Sequence, residues 1–149
     1  MIRYTASTEG LTPEAVRGFF EGWPSPPSPE RHIEILEASY AVVLAVDDDA
    51  GRVVGFVTAI SDGVLAAYIP LLEVLPEYRG NGIGRVLMET ILSRLDGLYM
   101  VDLVATPGRE SFYERLHFRG ARAMVHRDFE AQAGRSRTGA KISPDERKA

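Results

Sequence analysis

The sequence predicts an α/β (α+β) domain with a mixed, mostly antiparallel sheet of six to seven strands and helices on both faces. Short apolar segments separated by turn residues fill positions 40–74, a pattern typical of antiparallel hairpins. An amphipathic segment then connects two near-continuous apolar segments, 68–74 and 99–105. Strands that are joined through a helix are parallel and form a right-handed crossover, so we expect these two strands to be neighbours.

The composition indicates a folded domain of ordinary character. The 149 residues are 45% hydrophobic and 26% charged. The formal net charge is −4, from 17 basic and 21 acidic side chains, so we expect no nucleic-acid partner. Apolar runs fall well short of the ~20 residues of a membrane span, and the first residues do not resemble a secretory signal. The absence of cysteine excludes disulfides and thiolate sites, and we expect a cytoplasmic protein with no membrane partner.

The first half of the chain reads as strand, helix, helix, strand, strand. Two segments, 12–20 and 28–39, open with a hydroxyl side chain, a proline and a glutamate, which is a favourable helix start. The proline-rich segment 22–27 separates them and cannot continue either helix. The predicted strands of this half are 2–7, 40–46 and 52–60.

The second half begins with a hairpin signal, Asp62-Gly63, which leads into a strand that ends before Pro76. The predicted elements after it are a helix from 82 to 95, a strand at 99–105, a short helix at 109–116 and a terminal strand at 121–126. We expect residues 1–129 to form the domain. The tail at 130–149 has almost no large apolar residues, so we expect it to be mobile.

The turn after the 68–74 strand carries three alternate glycines, Gly80, Gly82 and Gly84. Glycine lets a ligand approach main-chain N–H groups, and the first turn of a helix has unpaired N–H donors that suit a phosphate. Arg79 and Arg85 add two positive charges. A Walker loop needs Lys-Ser/Thr after its last glycine, and a dinucleotide fingerprint needs glycine where Arg85 stands, so both are excluded. A turn that binds nothing remains the alternative.

Two motifs carry a resemblance to a known family. The first is Arg-x-x-Gly-x-Gly, which resembles the acyl-CoA-binding motif of the GNAT superfamily of N-acetyltransferases and consists here of Arg79, Gly80, Asn81, Gly82, Ile83 and Gly84. The second, from Phe112 and Tyr113 to Phe118, resembles the family's Phe-Tyr-x-x-x-Gly-Phe segment. His117 stands where the family usually has glycine, and Thr106 where it often has asparagine. The order of elements also resembles the GNAT-like acyl-CoA N-acyltransferase fold.

The resemblance implies that acetyl-CoA is the co-substrate and that no metal is required. In the family, the glycine motif cradles the coenzyme A pyrophosphate, and the pantetheine arm lies between two splayed parallel strands. The residues implied to bind the coenzyme are Leu72, Glu73, Val74, Arg79, Gly80, Asn81, Gly82, Ile83, Gly84, Arg85, Thr106, Phe112 and Tyr113.

Three groups are candidates for the chemistry. Tyr113 matches the family's general acid, and a phenol can share its proton with the departing thiolate. The N–H of Val74 is the candidate oxyanion donor. Glu73 interrupts an apolar strand, where a carboxylate is costly without a use, so it is the candidate base. Each assignment has an alternative. Glu73 could instead face the open cleft and stay solvated, and the base could be relayed by water. Phe112 and Tyr113 could simply pack the short helix onto the sheet.

We therefore expect an N-acetyltransferase that transfers acetyl to a primary amine by direct attack in a ternary complex, as a monomer or homodimer. The amine should bind between the 20–28 loop, Tyr68 and the terminal strands. Phe19, Phe20 and Trp23 either line that pocket or belong to the core. The alternatives are a catalytically silent acyl-CoA-binding module on the same fold and acylation of a macromolecule. The three histidines have no metal-like spacing and are expected to be surface or structural residues.

Overall fold

The computed structural model describes residues 1–135, which build a sheet of five strands covered by helices. The strands are β1 (Ile2–Thr5), β2 (Ala41–Asp47), β3 (Arg52–Ser61), β4 (Ala66–Val74) and β5 (Met100–Asp102). The helices are α1 (Pro29–Ala38), α2 (Ile83–Arg94) and α3 (Glu110–Glu114). Single 3-10 turns lie at Glu14–Val16, Pro76–Tyr78 and Phe129–Ala131.

The strands lie in the sheet in chain order, β1-β2-β3-β4-β5. The first four are antiparallel, and β4 and β5 are parallel and joined through α2, as predicted. The predicted count of six to seven strands is wrong for the described residues, which form five. The predicted terminal strand at 121–126 does not form there, because this segment is exposed and buries too little to fix a ladder. The predicted strand at 99–105 is reduced to Met100–Asp102.

The predicted helix at 12–20 is also wrong, since only the 3-10 turn Glu14–Val16 forms. The start is as expected, with the hydroxyl of Thr12 accepting a hydrogen bond from the N–H of Ala15 at 3.3 Å. The helix then stops, because Gly18 has φ +95° and Phe20 has φ +64°, and neither value is compatible with a right-handed helix. By contrast, α1 is capped as predicted, with the hydroxyl of Ser28 accepting from the N–H of Arg31 at 3.1 Å.

The sequence predicts helices on both faces of the sheet, and buried residues lie on both faces. Successive residues of a strand point to opposite faces. At Gly55 of β3 the helix α2 approaches so closely that an added Cβ would lie 3.1 Å from Leu87 and 3.3 Å from Ile83. The next residue, Phe56, is fully buried on the other face against Phe19, with ring centroids 5.0 Å apart.

Two further expectations concern the ends and the environment of the chain. Residues 136–149 of the predicted mobile tail lie outside the described residues. Among residues 1–135, no helix combines the length and the apolar character needed to cross a membrane.

Candidate active site

The site begins where the two parallel strands separate. The pairing of β4 with β5 ends at Tyr68 and Asp102, although β4 continues to Val74. The chain after β5 leaves the sheet, so a gap opens beside the carboxyl-terminal half of β4. Ligands of α/β sheets bind in this kind of crevice, beyond the carboxyl ends of the strands.

A cleft of about 730 Å³ occupies this gap. It brings together all the residues predicted to bind the coenzyme except Asn81. The side-chain amide of Asn81 instead donates to the carbonyl oxygens of Tyr78 at 3.1 Å and Arg79 at 3.3 Å, and so holds the turn in shape. The lining residues from the prediction are Leu72, Glu73, Val74, Arg79, Gly80, Gly82, Ile83, Gly84, Arg85, Thr106, Phe112 and Tyr113.

One wall of the cleft is the glycine turn, residues 79–85. Gly80 and Gly82 both have φ +78°, a left-handed conformation that glycine adopts without strain. Gly82 is the N-cap of α2, and its carbonyl accepts the first helical bond, from the N–H of Val86 at 3.1 Å. The N–H groups that come before this first bond have no partner within the helix. The turn therefore presents main-chain donors and a partial positive charge to the cleft.

The two arginines of this turn bind carboxylates in the structure. Arg79 donates through Nε to the carbonyl oxygen of Val74 at 2.9 Å, and through Nη2 to the carboxylate of Glu21 at 2.5 Å. Arg85 donates to Glu89 at 2.7 Å, one helical turn further on. The side chains of both ion pairs are at least about two-fifths exposed, and exposed pairs contribute only ~0–1 kcal/mol, so an anionic ligand can displace them.

A second wall is the cleft loop, residues 18–23. Glu73 holds this loop through two charge-assisted hydrogen bonds, accepting from the N–H of Phe20 at 2.8 Å and from the N–H of Glu21 at 3.1 Å. Residue 73 is half-buried and lies within the cleft, as predicted, but its carboxylate is not simply solvated. Its proposed role as a base stays a prediction.

Tyr113 lies on α3 at the other side of the gap. Its ring packs edge-on against Phe112 and Phe118, with centroids 5.0 and 6.0 Å away. Burial raises the pKa of the Tyr113 phenol, and the positive charge of Arg109 counteracts part of that rise. The phenol is therefore protonated at neutral pH, the state that a proton donor requires.

His117 stands at the position where the family usually has glycine. It has φ +68°, so its backbone adopts the left-handed conformation for which glycine is the usual choice. The next residue, Phe118, donates its N–H to the carbonyl of Tyr113 at 3.1 Å. The turn that closes α3 is thus formed here in spite of the side chain at this position.

Three aromatic residues of the cleft loop have different positions. Phe20 is 5% exposed and lines the cleft, and Trp23, at 39% exposure, lines it as well. Phe19 lies in the core instead. Tyr68 is not among the residues that line the cleft, whereas Pro70 and Leu71 of the same strand are.

Sequence reasoning missed two charged residues of the cleft, Glu21 and Arg109. Glu21 is adjacent to the predicted aromatic residues, but nothing in the sequence links it to Arg79, 58 positions away. Arg109 precedes α3 and is four residues before Tyr113, a spacing that could have indicated a cation near the phenol. No cluster of metal-ligating side chains is found within residues 1–135.

Three comparisons with known proteins bear on this site. A family model described as "Acetyltransferase (GNAT) family" matches residues 8–118. A serotonin N-acetyltransferase of Oryza sativa subsp. japonica is 37% identical over 93 residues, 60% of this chain and 46% of that protein. An uncharacterized N-acetyltransferase of Porphyra purpurea is 31% identical over 100 residues, 65% and 58% respectively. The chain therefore spans about half the length of these curated relatives.

Solved structures agree with this family match. A candidate acetyltransferase from Deinococcus radiodurans R1 has 48% identity and a TM-score of 0.88, over 91% of this chain and 94% of that one. A GNAT family acetyltransferase from Streptococcus pneumoniae TIGR4 has 28% identity and a TM-score of 0.69, over 86% and 98%. The family match covers both motifs and the gap between β4 and β5, so we conclude that this chain belongs to the GNAT family of acetyltransferases.

Proposed function

We propose that this chain is an acetyl-CoA-dependent N-acetyltransferase that acylates a primary amine by direct attack in a ternary complex. The observation that carries the proposal is the gap between β4 and β5, which places the glycine turn, the edge of β4 and Tyr113 around one cleft. The family uses acetyl-CoA as its co-substrate. The cytoplasmic location and the oligomeric state stay predictions.

The residues present fit an elongated, anionic thioester. The start of α2 offers main-chain donors for the pyrophosphate, and Arg79 and Arg85 supply charge beside them. The open edge of β4 at residues 72–74 offers main-chain groups to the pantetheine arm, in the way that a sheet edge accepts an added strand.

The N–H of Val74 is the proposed donor to the developing oxyanion. The N–H of the next residue, Leu75, donates to the carbonyl of Val54 in β3 at 2.9 Å. Because successive N–H groups of a strand point to opposite edges, the N–H of Val74 points away from β3, towards the gap. A preformed donor of this kind lowers the barrier by roughly 3–4 kcal/mol in other enzymes.

In the proposed reaction the neutral amine attacks the thioester carbonyl carbon, so that a C–N bond forms and the C–S bond breaks. Tyr113 gives its proton to the departing thiolate, and the ammonium proton leaves to Glu73 or to water. A lysine-like amine is only about one part in 10³ neutral at pH 7, which costs roughly 4–5 kcal/mol, whereas an α-amine costs ~1.4 kcal/mol. The need for a strong base therefore depends on the acceptor.

The lining of the cleft favours an amine with an apolar body. Phe20, Trp23 and Leu71 supply apolar surface next to the carboxylate of Glu21. The rice relative is named for acetylation of serotonin, which carries its primary amine on an ethyl chain attached to an aromatic ring. This name supports placing arylethylamines first in a substrate panel.

The test is turnover of acetyl-CoA with a panel of tyramine, tryptamine, spermidine and a lysine peptide. Because the chain contains no cysteine, a thiol reagent reports only the coenzyme A that is released. We expect amine-dependent thiol release, and heat of coenzyme A binding in calorimetry. Binding without turnover of any amine would instead favour the catalytically silent acyl-CoA-binding module.

A further inference from the structure

The carboxylate of Glu73 connects the centre of β4 to a loop more than 50 positions earlier in the chain. Its two oxygens accept from consecutive main-chain N–H groups, Oε2 from Phe20 at 2.8 Å and Oε1 from Glu21 at 3.1 Å. Hydrogen bonds to an ionised acceptor are roughly twice as strong as neutral ones. This pair of bonds fixes both the position and the orientation of the loop backbone.

The loop needs such support because its backbone is strained. Phe20 has φ +64°, and a bulky side chain in the left-handed region is a real outlier. Conformations of this kind persist only where the surroundings determine them. The ring of Phe20 is thereby directed between His32, with centroids 4.9 Å apart, and Trp23, 5.0 Å apart, and it lines the cleft.

From these contacts we infer that Glu73 is a positioning residue, whose carboxylate holds the cleft loop in the shape that receives the amine, and that water accepts the ammonium proton. The inference rests on the proposed acetyltransferase function and deepens it. Phe20, Glu21 and Trp23 then determine which amine fits, and Glu73 acts through them.

The same contacts occupy both oxygens of the Glu73 carboxylate. Oε2 accepts from the N–H of Phe20 and Oε1 from the N–H of Glu21, so each oxygen already has a main-chain partner. A base that exchanged these partners for the ammonium group would release the loop that orients the substrate. A water molecule in the open cleft is not needed to hold the loop.

The test compares Glu73→Gln with the matched control Glu77→Gln. Glutamine keeps the shape of the side chain but presents an amide NH₂ to one of the two N–H donors, so one bond is lost. Glu77 lies three residues after β4, is exposed, and its carboxylate is 3.8 Å from Arg52. We expect amide hydrogen exchange at Phe20 and Glu21 to become about tenfold faster in Glu73→Gln, and to stay unchanged in the control.

Kinetics with the amine that the panel identifies gives the second readout. For Glu73→Gln we expect KM for the amine to rise roughly tenfold and kcat to fall less than about threefold. We also expect the decrease in kcat/KM at low pH to remain. The inference would be overturned if kcat fell about 100-fold or more with unchanged amine KM and kcat/KM no longer decreased at low pH. That result would establish Glu73 as the base.

Hydrogen exchange also separates this inference from the proposed function. If the wild-type protein acetylates no amine, the proposed function fails, yet exchange at Phe20 and Glu21 still decides whether Glu73 holds the loop. If Glu73→Gln does not fold, wild-type exchange decides: we expect these two amides to be protected relative to that of Gly22. Absence of that protection would overturn the inference.

Discussion

The two walls of the cleft present different chemical groups. The glycine turn offers main-chain N–H donors at the start of α2, and its shape depends on residues that are neighbours in the chain. The cleft loop offers the side chains of Phe20, Glu21 and Trp23, and its shape depends on Glu73, more than 50 positions away. Recognition by the glycine turn depends on the shape of its main chain, whereas recognition by the loop depends on the identity of its side chains. Coenzyme affinity and amine selectivity should therefore respond to different substitutions.

Tyr113→Phe should have the largest effect and should alter neither wall. Removing the phenol proton donor while keeping the ring is expected to lower kcat by roughly 10³-fold, with little change in KM for acetyl-CoA or amine. Steady-state thiol release measures it. Tyr99→Phe is the control, because Tyr99 is 83% exposed and is not among the residues lining the cleft. A Tyr113→Phe enzyme with nearly full kcat would assign this ring a packing role only.

Low pH should destabilise the folded protein through His32, which packs against Phe20 of the cleft loop. His32 is 1% exposed, packs against Phe19, Phe20 and Phe56, and burial lowers its pKa from 6.5 to about 4. Between pH 6.5 and 4 the unfolded chain therefore binds a proton that the folded chain does not. The free energy of unfolding should fall by up to about 3 kcal/mol across that range.

Denaturant unfolding at several pH values between 7 and 4 measures this loss. His32→Phe should flatten the dependence, whereas the control His126→Gln, at an exposed position, should keep it. Equal slopes in wild type and His32→Phe would contradict the explanation.

Gly82→Ala should affect the glycine turn alone. The space around an added Cβ is open, so the cost comes from φ +78°, about 1–2 kcal/mol for a residue with a side chain. We expect coenzyme A to bind roughly tenfold more weakly in calorimetry, with amine KM nearly unchanged. Gly97→Ala is the matched control, since Gly97 has φ +89° and equally open space but lies beyond the other end of α2. It should lose similar stability and keep its coenzyme affinity.

Glu21→Gln should have the smallest effect, and it acts where the two walls touch. The carboxylate of Glu21 binds Arg79, so it would compete with the phosphate of the proposed coenzyme, and both side chains are about half exposed. Releasing that guanidinium should strengthen coenzyme A binding about threefold at low salt, and less at high salt. Glu14→Gln, which breaks the exposed pair with Arg17, is the control. Weaker coenzyme binding by Glu21→Gln would show that the pair preorganises Arg79.

Elements specified by local sequence were the ones that could be predicted. The strand β4, the stop at Pro76, the start of α2 at Gly82 and its parallel neighbour β5 follow from apolar pattern, proline and glycine. The position of Tyr113 beside the gap came from the family resemblance, and the structure places it there. Its catalytic role is not tested by position alone.

The cleft loop could not be predicted, because distant contacts decide its conformation. Residues 12–20 carry a good helix start, and their local preference loses to the left-handed backbone at Phe20 that Glu73 supports. The ion pair between Glu21 and Arg79 leaves no pattern in the sequence either. The 121–126 segment has strand-like residues but stays exposed without a sheet neighbour in the described part of the chain.

The early separation of β5 from β4 has a consequence for stability. The β4–β5 pairing ends at Asp102, so no strand pairs with the second half of β4 on that side. Main-chain groups along this edge are therefore not used in the sheet. A molecule that bound along this edge would take the place of a further strand, and its binding free energy would be added to that of folding. Substitutions that lengthened the β4–β5 ladder would therefore stabilise the protein and lower its affinity for the proposed coenzyme.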